Sequence, residues 1–83
     1  MLNDNQLWIL RFLAARPNGF HEGLPQREGI TKDEMETEIG HLIRGRLVRV
    51  FGPPNVNCCT DEGMDVDELT LLPAGRAALR QHA

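Results

Sequence analysis

The side chains of this sequence that could carry out chemistry are few and widely spaced. Cys58 and Cys59 are its two cysteines, and they are adjacent. Two neighbouring cysteines seldom both reach good tetrahedral positions around a zinc ion, and no C-x-x-C pair is present. We therefore expect two ordinary thiols and no metal site. The three histidines are predicted to be surface or cap residues, and they are His21, His41 and His82.

Motifs for catalysis or cofactor binding are missing from the chain. It has no serine, no G-x-x-x-x-G-K, no G-x-G-x-x-G and no H-E-x-x-H. Carboxylates are numerous, but they are predicted on solvated surfaces of a chain too small for a deep pocket. The sequence therefore predicts a protein that is not an enzyme and that has no cofactor and no small-molecule ligand.

The residues that favour nucleic-acid binding lie on one predicted helix, from Lys32 to Arg44. Thr31 and Glu34 form a capping box at its start. Its apolar residues share one face at helical spacing, and they are Met35, Ile39, Leu42 and Ile43. With that face turned inward, the outward face holds Asp33, Thr37, Gly40, His41 and Arg44. Together with Lys32, the residues Thr37, His41 and Arg44 could contact base edges or phosphates.

The distribution of charge weighs against this interpretation. The net charge is −3, with eight arginines and one lysine among the basic residues. Asp33 and Glu34 suit the first turn of a helix, where the helix dipole favours carboxylates. Glu36 and Glu38 are expected only to solvate the helix flanks. Residues 52–68 carry five acids and no base, whereas the predicted first and last helices carry Arg11, Arg16, Arg76 and Arg80.

The remaining elements follow from capping and periodicity. The predicted first helix has Asn3 and Gln6 in a capping box and stops near Arg16, with Trp8 at the edge of the core. Short strands are predicted at Phe20–His21, Leu47–Phe51 and Asp67–Leu71, and a last helix begins at Pro73. Residues Leu24 to Glu28 are expected to form one or two helical turns. Gly45 is expected to be the left-handed residue that ends the helix of Lys32 to Arg44.

Two local patterns carry a resemblance to a known family. I-R-G-R-L-V-R-V, from Ile43 to Val50, resembles the L-x-x-x-G-L-V exit from a recognition helix, with Arg46 as one extra residue. L-T-L-L-P-A-G-R, from Leu69 to Arg76, resembles the L-T-x-x-G that follows a wing, lengthened by Pro73 and Ala74. Over nearly its whole length, the chain resembles a winged-helix domain of the bacterial transcription-regulator type.

The resemblance implies a single α+β domain over residues 1–83. This small winged helix would have three to four helices and a two- to three-stranded antiparallel β-hairpin wing. It implies binding of double-stranded DNA through Lys32, Thr37, His41 and Arg44. The acidic segment leaves open a protein-interaction module, or a homodimer packed through the terminal helices. The adjacent cysteines and the lack of a long apolar run favour a cytoplasmic protein that does not enter the membrane.

Overall fold

The computed structural model describes residues 2–51 and 68–82. In chain order the elements are helix α1 (Asp4–Ala14), a 3-10 turn (Pro17–Gly19), strand β1 (Phe20–Glu22), helix α2 (Lys32–Arg44), strand β2 (Val48–Phe51), strand β3 (Glu68–Leu71) and helix α3 (Pro73–Gln81). The described part of the chain is therefore a small α+β domain with three α-helices and one antiparallel sheet.

The sheet has the strand order β1-β3-β2, so the last strand of the chain is the central one. β3 pairs with β2 in the register Val48↔Leu71 and Val50↔Leu69. On its other edge, β3 pairs with β1 in the register Phe20↔Thr70. The predicted pairing of these two strands is confirmed for Val48–Phe51 with Glu68–Leu71, and Asp67 lies outside the described residues. The predicted strand at Phe20 completes a three-stranded sheet.

Both long helices begin where the capping pattern predicts. At α1, the Gln6 backbone amide donates to Asn3 Oδ1 over 2.8 Å, and the Asn3 amide donates to Gln6 Oε1 over 3.1 Å. At α2, the Glu34 amide donates to Thr31 Oγ1 over 3.1 Å, and the Thr31 amide donates to Glu34 Oε1 over 3.2 Å. Each box satisfies two backbone donors that would otherwise lack a partner, and so it fixes the first residue of its helix.

One apolar core joins the helices to the sheet. Its buried side chains are Ile9, Leu10 and Leu13 from α1, Met35, Ile39 and Leu42 from α2, and Val48, Leu69 and Leu71 from the strands. The predicted apolar face of α2 is confirmed, with Ile43 half-buried at its margin. Trp8 is half-buried against this core, as predicted. Most of the polar side of α2, including Thr37, His41 and Arg44, is therefore turned to solvent.

The prediction of Gly45 as the left-handed residue was wrong. Gly45 has a right-handed backbone with φ −78°, and the next residue, Arg46, has φ +59°. The Arg46 amide donates to Ile43 O over 2.9 Å, and the Leu47 amide donates to Leu42 O over 3.0 Å. These two bonds form a Schellman motif whose left-handed residue lies one position after Gly45. The extra residue before Leu47 is thus the one that takes the left-handed conformation.

The prediction of helical turns between Leu24 and Glu28 was also wrong. This segment is irregular, and it is bracketed by Gly23 with φ +79° and Gly29 with φ +92°. Pro25 is buried there, while Leu24 and Ile30 are partly buried against the core. A single helical turn contributes little stability because helix nucleation is costly. Packing of the individual apolar side chains against the core therefore decides the backbone of this short segment.

α3 approaches the sheet closely at a glycine. Gly75 is buried, and a Cβ there would overlap the backbone oxygen of Leu47 and Cδ1 of Leu71. The same Leu47 oxygen accepts a hydrogen bond from the Leu72 amide over 3.0 Å. The start of α3 is thus tied to the residue that links α2 to β2.

Candidate nucleic-acid interface

Three of the four predicted contact residues form one exposed stripe on α2. Thr37, His41 and Arg44 are all exposed and lie four and three residues apart, the spacing of neighbours on a helix surface. We call these three residues the α2 stripe. Among the described residues, the Arg44 guanidinium has no ion-pair or hydrogen-bond partner. The Thr37 hydroxyl donates to the Asp33 carbonyl over 2.9 Å, which leaves its oxygen able to accept.

Lys32, the fourth predicted residue, lies elsewhere on the helix. At about 100° per residue, it is rotated by roughly 120–180° from the members of the α2 stripe. Its Nζ atom is 3.7 Å from Glu36 Oε1, one turn further along. The structure therefore brings Thr37, His41 and Arg44 together and leaves Lys32 apart from them.

Two residues of α2 differ from expectation in burial. Gly40, predicted on the outward face, is buried because it has no side chain to project beyond the helix backbone. Glu38, predicted to be a solvated flank, is also buried, with 9% of its surface exposed. The sequence-based assignment of the polar face of α2 was wrong at these two positions.

The buried Glu38 carboxylate is held by the capping box of α1. Asn3 Nδ2 donates to Glu38 Oε2 over 2.5 Å, and Gln6 Nε2 donates to Oε1 over 3.4 Å. Asn3 and Gln6 thus use their side-chain oxygens to cap α1 and their side-chain nitrogens to hold α2. Glu38 also lies beside the positive end of the α1 dipole. Its role is to join two helices, so we do not count it as an interface residue.

The two ends of the exposed α2 surface carry opposite charges. Asp33, Glu34 and Glu38 line a shallow groove of about 250 Å³ with Asn5 and Thr37, close to the start of α2. At the other end, Arg44 is followed by the exposed Arg46. A polyanion would be repelled at the first turns of the helix and attracted at the last. Arg46 was not among the predicted contact residues, although its place as the extra residue before Leu47 distinguishes it in the sequence.

A larger open groove of about 400 Å³ lies between the irregular segment and the start of α2. Its lining residues are Leu24, Pro25, Gln26, Arg27, Ile30, Thr31, Lys32 and Met35. The two cations among them already have partners. Arg27 binds Asp4 over 3.0 Å, and Lys32 lies near Glu36. The groove therefore offers no unpaired charge that would orient a small ligand.

Within residues 2–51 and 68–82, no group of three or more histidine, cysteine or acidic side chains is placed to hold a metal ion. Cys58, Cys59 and most of the acidic segment lie outside the described residues, as does any contact that a wing tip would make. Each helix of the described chain is too short or too polar to cross a bilayer.

Similarity to known proteins adds nothing to these observations. Comparisons with protein families, with curated proteins and with solved structures each gave no match.

Proposed function

We propose that this chain is a small, non-enzymatic winged-helix module that binds double-stranded DNA through the last two turns of α2. The observation that carries the proposal is the α2 stripe, in which Thr37, His41 and Arg44 are exposed on one side of a helix that leads into an antiparallel strand pair. Thr37 and His41 offer hydrogen-bonding groups to base edges, and Arg44 offers the bidentate guanidinium that suits guanine or phosphate.

The strand order supports the same proposal. A helix followed directly by two neighbouring antiparallel strands places the helix beside the strands, which is the arrangement that a recognition helix and a wing require. The expected first helix of a helix-turn-helix unit is replaced by the irregular segment between Gly23 and Ile30. Because the adjacent cysteines suit a reducing compartment, we place this function in the cytoplasm.

The local charges predict weak DNA binding, with an affinity that falls only gradually as the salt concentration rises. Arg44 in the α2 stripe and Arg46 just after it are the nearby cations, and Asp33 and Glu34 repel a phosphate at the other end of the helix. Each neutralised phosphate contributes a slope of about −0.9 to the logarithm of the affinity against the logarithm of the salt concentration. Two phosphate contacts therefore predict a slope of about −2.

Fluorescence anisotropy with a mixed-sequence duplex at low salt tests the proposal. Arg44→Ala should weaken binding and should reduce the salt slope by about 1. Lys32→Ala is the matched control, since it removes one positive charge from the same helix but from a different side. Binding that is absent at low salt, or that falls equally in the two variants, would rule out the α2 stripe as the contact surface.

A second candidate function is docking to another protein through the terminal helices. The observation that favours it is the set of exposed arginines on α1 and α3 and in the turn after α1. Sedimentation of the full chain, alone and with candidate partners, tests this function separately from DNA binding. A strict monomer that binds no protein would remove its basis.

A further inference from the structure

Four exposed arginines lie on the terminal helices and the turn after α1. Arg11, Arg16, Arg76 and Arg80 are all exposed, and we call them the arginine face. Among residues 2–51 and 68–82, none of the four has an acidic side chain within ion-pairing distance. Asp4 is the acidic residue of α1 and α3, and it is bound to Arg27. Within the described part of the chain, no carboxylate therefore neutralises the arginine face.

Two of these guanidinium groups lie close to other parts of the fold. The Arg16 guanidinium lies 5.8 Å from the centre of the Phe12 ring. Arg76 Nη2 lies over the 3-10 turn, 3.0 Å from where a Cβ of Gly19 would be. The Gly19 amide in turn donates to Arg16 O over 3.0 Å. Arg16 and Arg76 are thus both next to the 3-10 turn, and a ligand would lose less side-chain entropy in ordering Arg16, which already lies over Phe12.

The neighbouring aromatic residues suit a protein partner better than a nucleic-acid base. Trp8 and Phe12 are half-buried and stack on each other, with ring centres 5.2 Å apart and planes 17° apart. Arg27 lies over Trp8 at 5.6 Å, and the His21 ring meets Phe12 edge-on at 4.9 Å. A base-stacking platform requires free ring faces. Here the rings are already in contact with one another and with cations.

We propose that the arginine face docks an acidic segment of a partner protein, with Arg16 and Arg76 as its central contacts. Carboxylates match the guanidinium fork in a bidentate manner, and arginine beside tryptophan and phenylalanine is the composition enriched at protein interfaces. This inference rests on the second candidate function, and it specifies that the partner binds through an acidic segment.

The test uses a fluorescein-labelled synthetic peptide of alternating glutamate and glycine with one central leucine. We expect the full chain to bind it, and Arg16→Gln/Arg76→Gln to weaken binding by about 10-fold or more, because two charge-assisted contacts are lost. Arg44→Gln/Arg46→Gln is the matched control. It removes the same charge from the α2 side and should leave peptide binding within about twofold.

Side-chain Nε–H resonances of the unmodified chain provide a readout that does not depend on how the variants fold. Those of Arg16 and Arg76 should shift on peptide addition, while that of Arg44 should not. Equal weakening in both double variants, or shifts spread over all arginines, would overturn the arginine face. Tighter binding of a single-stranded oligonucleotide of equal charge would assign the surface to phosphate and also overturn it.

The outcomes distinguish a failure of the arginine face from a failure of protein docking as a function. Peptide binding that persists in Arg16→Gln/Arg76→Gln would refute the arginine face but leave protein docking in place. No peptide binding, together with a strict monomer and no bound protein in sedimentation, would refute both. Duplex binding by the α2 stripe is measured independently through Arg44→Gln/Arg46→Gln.

Discussion

Replacing Glu38 by glutamine should destabilise the fold more than its conservative chemistry suggests. One carboxylate oxygen would become an NH₂ group and would face the amide NH₂ of Asn3 or Gln6, so that two donors would meet. A hydrogen bond to a charged acceptor contributes about 1.5–3 kcal/mol. The 2.5 Å bond from Asn3 should count in full, and the 3.4 Å bond from Gln6 should add little. Loss of the charge beside the α1 dipole adds roughly 0.3–1 kcal/mol.

The sum predicts a loss of about 2–4 kcal/mol in the free energy of unfolding. Urea titration followed by circular dichroism measures it, and the slope of the transition should not change because the fold is the same. Glu36→Gln is the matched control. Its carboxylate pairs with the exposed Lys32 at 3.7 Å, a contact between residues i and i+4 that contributes about 0.3–0.5 kcal/mol. Equal losses for Glu36→Gln and Glu38→Gln would refute the helix-joining role of Glu38.

Other substitutions test the packing and the backbone. Gly75→Ala should cost about 1–3 kcal/mol, because its methyl group would overlap the fixed Leu47 carbonyl; an unchanged urea midpoint would contradict the close approach of α3. Arg46→Gly should raise the melting temperature, since it relieves a left-handed conformation that costs an L-residue roughly 1–2 kcal/mol. Gly45→Ala should be tolerated or slightly stabilising, the reverse of what a left-handed Gly45 would give. Ile39→Ala should cost about 2–5 kcal/mol by calorimetry, and a smaller loss would show that the core can collapse around it.

Apart from the pairing of β2 with β3, the features that were predicted correctly are those set by neighbours in the chain. Both capping boxes depend on side chains three residues apart, and the apolar face of α2 depends on a repeat within one helix. The strands at Phe20 and Val48 lie in short β-branched or aromatic stretches, which favour extended backbone. In each case the interactions that decide the structure lie within a few positions of the residue concerned.

The features that were missed have two different causes, a contact between distant residues and a choice between neighbouring ones. Glu38 is buried because its partners, Asn3 and Gln6, are 35 and 32 positions away. Helical periodicity contains no information about that contact. Arg46 is left-handed because the Leu47 amide must return to Leu42, and glycine is preferred at such a position without being required. The role of the α2 stripe likewise depends on a partner that the sequence does not describe.

The strand order has a consequence for how the chain emerges from a ribosome. β1 and β2 both take their hydrogen bonds from β3, which is synthesised after them. Until Glu68–Leu71 has left the exit tunnel, the two earlier strands have no partner in the sheet, although α1 and α2 can already associate. Sheet formation must therefore come late in synthesis, and a nascent chain arrested before Glu68 should remain sensitive to protease.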